Sequence, residues 1–241
     1  MDIKERFDIV NGWNRLVKHL ITDKGYVDVL EGLRSTVIIA VLGLVIGIFI
    51  GTLLAVTKVV PQKKWYNKFF SKLTDIYVAL FRGTPMVVQL LIMFFVIFPL
   101  IGLNNVPNII VAIVAFGMNS GAYVCEIMRS GILSVDHGQM EAGRALGLGY
   151  CKTMWNIVIP QAVKNILPTL GNEFISLVKE TSVVSFIAIV DLTKAFQDIS
   201  ASTYEYLITY LALALCYLII VLIITVCVRL LERRLRVSEK K

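Results

Sequence analysis

Three long stretches of this sequence contain no charged residue: residues 35–57, 83–125 and 206–228. A hydrocarbon layer of about 30 Å needs roughly 20 apolar residues in helical conformation. Three such stretches in 241 residues constrain the chain to cross a membrane rather than to close around a water-soluble core. Composition agrees, with 57% hydrophobic and 17% charged residues against roughly 25% charged in an ordinary soluble domain. The net charge of +7 does not point to nucleic acid. Its lysines and arginines flank the apolar runs, and no basic stripe alternates with aromatics.

Residues 35–57 supply the first span and 206–228 the last. The stretch 83–125 is too long for one crossing. Pro99, Asn104, Asn105 and Pro107 divide it into a second span, about 73–99, and a third, about 107–128. Between Lys164 and Val190 lies a less uniform segment with Glu173, Lys179 and Glu180. It is read as a fourth span whose charges face protein, water or the interface, because lipid does not accommodate them. The fold class expected is therefore all-α: a polytopic membrane protein with about five transmembrane helices.

The loop after span one carries Lys58, Lys63, Lys64, Lys68 and Lys72, and the C-terminal tail carries Arg229, Arg233, Arg234, Arg236, Lys240 and Lys241. The segment between spans three and four has Arg129, Arg144, Lys152 and Lys164, whereas the loop between spans two and three has no charge and the loop between spans four and five has Asp191, Asp198 and Glu205 against one Lys194. By the positive-inside rule the N-terminus lies outside and the C-terminus inside. The basic residues of the N-terminal segment run against this, offset by six acids up to Glu31. The chain is read as residues 1–30, an amphipathic or interfacial segment without a cleavable signal, followed by a membrane domain over 31–241. Phe7, Val10, Trp13, Val17, Leu20 and Ile21 share one helical face, which suits either a helix on the membrane surface or one packed on its own protein. Cys125, Cys151, Cys216 and Cys227 form no C-x-x-C pair and read as small apolar residues. His19 and His137 are isolated, and no metal-ligand spacing is present.

The segment between spans three and four is long enough to carry structure and a task of its own. It reads SVDHGQMEAGRALGLGYCKTMWNIVIP from Ser134 to Pro160. Asp136 followed by Gln139 is a variant capping box, and Gly147 is a C-terminal stop. A second short helix, about 150–158, leads to Pro160, which can open span four. The first helix combines Glu141 and Arg144 with Ala142, Gly143 and Ala145. Small side chains let a helix sit deep in a partner's groove, and the plainer reading is a helix that ties two spans together.

The run EAGRALG and the later IVIP resemble the cytoplasmic EAA loop of ABC-importer permeases. Glu141, Ala142, Gly147, Ile157 and Pro160 match that pattern, and Gly143 departs from it where alanine is usual. FRGTPMVVQ (81–89), AYVCEIMRSGILSVDHGQ (122–139), IPQAVKNILPTLGNEFISLVKETS (159–182) and SFIAIVDL (185–192) resemble the polar amino-acid subfamily, with Cys125 where alanine is usual. Together they cover roughly residues 30–230. The resemblance implies a non-enzymatic permease in the bacterial plasma membrane, paired with a second permease subunit, two identical copies being expected. It implies two ABC ATPase subunits on the cytoplasmic side and an extracytoplasmic solute-binding protein outside. The loop helix would be the coupling helix, with Gln139, Glu141, Ala142, Gly143, Arg144 and Gly147 docking the ATPase. No G-x-x-x-x-G-K-[ST] phosphate loop occurs in the sequence. ATP and Mg are therefore expected on the ATPase, with no cofactor in this chain. A stand-alone channel or secondary carrier is the competing function.

Polar residues inside spans mark a path for polar cargo. Gln89 lies on span two. Asn119, Tyr123 and Glu126 share a face of span three, and Asn172, Glu173, Ser176 and Lys179 lie on span four. A zwitterion needs an acceptor for its ammonium, offered by Glu126 or Glu173, and a donor for its carboxylate, offered by Lys179 and the amides. Internal pairing of Glu126 with Arg129, or of Lys179 with Glu180, is the alternative. Arg82, Gly83, Thr84 and Pro85 are expected to shape a bend.

Overall fold

The computed structural model describes residues 9–22 and 24–237, all of whose regular structure is helical. Helix α1 is Ile9–Thr22, α2 Gly25–Val59, α3 Trp65–Gly83, α4 Met86–Leu100 and α5 Asn108–Leu133. The loop helix α6 is His137–Ala145. Helix α7 runs from Tyr150–Thr153 through a π turn at Met154–Val158 into Ile159–Glu180. A 3₁₀ segment, Thr181–Ile187, leads to α8, Leu192–Thr203, and the chain closes with α9, Tyr206–Val237.

Among the described residues, α2, α5 and α9 are each long and apolar enough to cross a bilayer. Helices α3 and α4 are long and apolar enough together, as a pair bent by 108° at Thr84 and Pro85, the geometry of a broken span or a re-entrant loop. The expected bend at the Arg-Gly-Thr-Pro run is thus present, and the segment expected as the second span, about 73–99, is divided between two helices. The expected fourth span, between Lys164 and Val190, corresponds to Ile159–Glu180, which is long enough but more polar than the others. It is tolerated because it packs on α2, α5 and α9.

The most extensive seam joins α2 to α5. Gly43, Gly47 and Gly51 of α2 lie against Phe116, Ser120 and Val124 of α5, while Gly117 and Gly121 of α5 receive Ile46 and Ile50 of α2. Helices in lipid gain little from hiding apolar surface from each other. Close approach through small residues supplies dispersion contact instead. The core around the seam includes Ile39, Phe116, Leu90, Met93, Val178 and Val184.

Both π turns precede a proline. The Phe98 N–H donates to the Met93 carbonyl and the Ile159 N–H to the Met154 carbonyl, each one residue before Pro99 or Pro160. Proline lacks an N–H, and its ring crowds the carbonyl four residues back, so one extra residue in the turn relieves the clash without ending the helix. Pro160 therefore continues α7 rather than starting a separate span.

One element differs from the sequence expectation. The segment after span four, read as a loop with Asp191, Asp198 and Glu205, is mostly the helix α8. Asp191 caps it by accepting the N–H groups of Thr193 and Lys194, both at 3.0 Å, and Leu192 N–H donates to Thr36 Oγ1 at 3.2 Å. Burial pushes the Asp191 carboxyl above its usual range, against the pull of the Lys194 and Thr193 amides. Helix α1 packs on its own chain: Leu16, 1% exposed, sits with Ile199 and Ile208, and Arg15 pairs with Glu205 at 2.7 Å. Its predicted apolar-face residues Phe7 and Val10 lie outside the residues whose side chains are described.

Candidate functional site

Helix α6 is built as its sequence predicts. The Asp136 carboxylate accepts the Gly138 N–H at 2.6 Å. The expected return from Gln139 is absent, because the Gln139 side chain instead accepts from Gln161 of α7 at 3.3 Å. At the other end Gly147 adopts φ +80°. Its N–H donates to the Arg144 carbonyl at 2.9 Å, and the Leu148 N–H donates to the Gly143 carbonyl at 3.1 Å. These are the two bonds of a Schellman stop. A helix of nine residues fixed at both ends is a rigid body on the surface of the bundle.

Its two faces are unlike. Gln139, Glu141, Ala142, Arg144, Ala145 and Gly147 are exposed, and Leu146 is 81% exposed. Glu141 and Arg144 form no ion pair with each other, which leaves both charges on the exposed face. Gly143, expected on the docking face, is buried and faces α7. A methyl group there would stand 2.5 Å from Thr153 Cγ2 and 3.0 Å from Ile157 Cδ1. Its place is set by the chain's own packing, away from the exposed face on which it was expected. Tyr150 adds a tie from α7 to α2, its hydroxyl donating to the Val59 carbonyl at 3.3 Å.

The polar residues predicted within the spans fall into two groups. In the first, the side chains are taken up by the chain itself. Gln89 Nε2 reaches the Phe81 carbonyl at 2.8 Å, the Thr84 carbonyl at 3.0 Å and Thr84 Oγ1 at 2.8 Å. Its Oε1 accepts from Asn119 Nδ2 at 2.8 Å. The broken end of α3 leaves carbonyls without helical partners, and this amide pair supplies them. Glu126 pairs with Arg129 at 3.0 Å, and Glu173 accepts from Ser120 Oγ at 2.9 Å, tying α7 to α5. Replacing Gln89 with leucine is expected to cost about 2 kcal/mol or more, a fall of roughly 4–8 °C in thermal midpoint for a chain of this size. Thermal unfolding in detergent measures it. An unchanged midpoint with lost transport would make the amide a cargo contact instead.

The second group faces outward. Asn172, Ser176 and Lys179 continue a row begun by Asn165 and Thr169, spaced by three and four residues on one face of α7. Asn165 donates to Ser134 Oγ at 2.9 Å, whereas Asn172 and Ser176 have no side-chain hydrogen bond among the described residues. Asn165 and Thr169 escaped the sequence reading, although the same spacing extended backwards from Asn172 finds them. Arg82, at the bend, stacks over the Tyr123 ring with Cζ 5.3 Å from its centroid and has no carboxylate partner among the described residues. Amide, hydroxyl and cationic groups exposed within a membrane helix require water or protein against them.

The chain matches the family model described as the inner membrane component of binding-protein-dependent transport systems over residues 43–237. It is 40% identical over 210 residues to a putative glutamine transport system permease protein of Rickettsia bellii, covering 87% of this chain and 94% of the relative. It is 38% identical over 211 residues to the arginine transport system permease protein of Bacillus subtilis, covering 88% and 94%. The solved structure of an amino acid ABC transporter with histidines aligns with a TM-score of 0.79 at 38% identity, covering 89% of this chain and 97% of that one. An inward-facing methionine ABC transporter shares the fold at 19% identity and a TM-score of 0.69.

Proposed function

The chain belongs to the family of binding-protein-dependent transport system inner membrane components, the multi-pass plasma-membrane permeases of ATP-driven importers, and we propose that its cargo is a polar amino acid. ATP hydrolysis and its Mg reside on a separate ATPase, which seats on the exposed face of α6 through Glu141, Ala142, Arg144 and Leu146. An extracytoplasmic binding protein delivers the cargo. A second copy of the chain faces the polar row of α7, so that Asn165, Thr169, Asn172, Ser176 and Lys179 line a path between two subunits. The observation that carries this reading is the rigid, doubly capped α6 with both its charges unpaired on the basic side of the bundle.

The path suits a zwitterion. Lys179 and Arg82 offer donors for a carboxylate, and Glu173, held at mid-span by Ser120, offers an acceptor for an ammonium. Glutamine and arginine are the cargoes named for the two relatives, and they differ only beyond the shared backbone groups.

The test is the purified permease with the ATPase encoded beside it. Glu141→Lys is expected to weaken capture of that ATPase about thirtyfold or more, since reversing an interfacial charge costs about 2 kcal/mol or more. Insertion and thermal midpoint should not change. Capture and ATP-driven uptake equal to wild type would remove α6 from the docking site. Uptake into liposomes by this chain without any ATPase would favour a channel or carrier.

A further inference from the structure

The chain departs from the permease loop pattern at Gly143, and the packing there shows what replaces the missing methyl. Gly143 is buried against Thr153, which is itself fully buried, with its hydroxyl donating to the Gly149 carbonyl at 3.2 Å. The space a Cβ at residue 143 would need is filled from across the seam by Thr153 Cγ2, with Ile157 Cδ1 beside it. The contact is a key in a notch: backbone of one helix against a methyl of the other, with no slack on either side. The Gln139–Gln161 hydrogen bond is a second tie between the same two helices.

We infer that displacement of α6 enters the membrane through this Gly143–Thr153 notch, and that Gly143 is a positioning residue for α7 rather than a contact of the ATPase. The inference rests on the importer reading of α6. Three features make the notch the entry point. The Schellman stop and the Asp136 cap keep α6 from flexing. Thr153 belongs to the same continuous helix as the polar row that begins at Asn165, about 18 Å further along at 1.5 Å per residue. A close-packed contact passes on a small shift, where a loose one absorbs it.

A size swap tests it, with the permease purified alone and with the neighbouring ATPase. Gly143→Ala should lower the thermal midpoint of the permease and reduce cargo moved per ATP hydrolysed by about twofold to thirtyfold, while ATPase capture stays at the wild-type level. Adding Thr153→Ser, which removes Cγ2 and keeps the hydroxyl, should restore both the midpoint and the transport ratio. Three results overturn the inference: unchanged transport per ATP in Gly143→Ala, capture weakened as in Glu141→Lys, or no rescue by Thr153→Ser. Wild-type permease that captures no ATPase would overturn the importer reading and this inference with it. That outcome is recognisable because it appears before any substitution is made.

Discussion

Gly51→Leu is expected to remove folded protein from detergent extracts, while Gly83→Leu leaves it intact. The two substitutions place the same side chain on helices of the same bundle. At Gly51 even the first carbon would stand 2.6 Å from Val124 Cβ and 2.8 Å from the Cys125 backbone nitrogen. A flexible side chain could swing away from such a contact, but a backbone atom moves only with its helix. Parting α2 from α5 would also undo the reciprocal seats of Ile46 and Ile50 on Gly117 and Gly121. Overpacking in a well-packed core costs about 1–3 kcal/mol and more where nothing can repack. A membrane bundle has little else to hold its helices together. At Gly83 nothing lies within 4 Å of the added carbon. Size-exclusion chromatography and thermal unfolding of both variants read the result. A Gly51→Leu sample that elutes and melts as wild type would show that the seam does not hold the fold.

Much of this architecture was legible because it is written locally. The uncharged runs announce α2, α5 and α9, since the cost of a charge in lipid is paid residue by residue. Asp136 and Gly147 announce the ends of α6, because caps are made within a turn of the residue that makes them. The seam was harder to see. Gly43, Gly47 and Gly51 recur every fourth residue, yet inside an apolar run the strongest signal is hydropathy, and the spacing of small residues is masked by it. Helix α8 was hidden for the opposite reason: its acids suggested a loop, whereas Asp191 is its cap and Leu192, Phe196 and Ile199 are its buried face.

What could not be read was the direction in which polar and small residues point. Gln89 and Asn119 looked like cargo groups because an amide in a span needs a partner. The partner proved to be the broken end of α3, which is close only after the chain bends. Gly143 looked like part of a docking face because its neighbours are small and exposed. Its burial depends on Thr153, ten residues away and on another helix. In each case a tertiary contact, and not the local sequence, sets what the residue packs against.

Pro160→Ala is expected to abolish transport without unfolding the protein, and deleting Asn156 in the same chain is expected to restore it. The π turn at Met154–Val158 contains one residue more than an α-helix would need over the same rise. Replacing Pro160 removes the ring that the wider turn accommodates, so the turn closes into α-helix. With the residue count unchanged, Thr153 is then rotated by about 100° and displaced by about 1.5 Å relative to the polar row of α7. Neither end of the helix loses its own packing surface, but the notch for Gly143 and the row from Asn165 to Lys179 no longer face their partners at the same time. A misplacement of about 1 Å can cost about a hundredfold in rate, so ATP-driven uptake should fall to the background of empty liposomes. ATPase capture should persist, because the exposed face of α6 is untouched. Pro160→Ala with Asn156 deleted is the control: removing the exposed extra residue lets a regular helix cover the same rise in the original phase, so it should transport nearly as wild type. Wild-type uptake by Pro160→Ala alone would show that the phase between notch and row is not used, and that the π turn serves only to accommodate the proline.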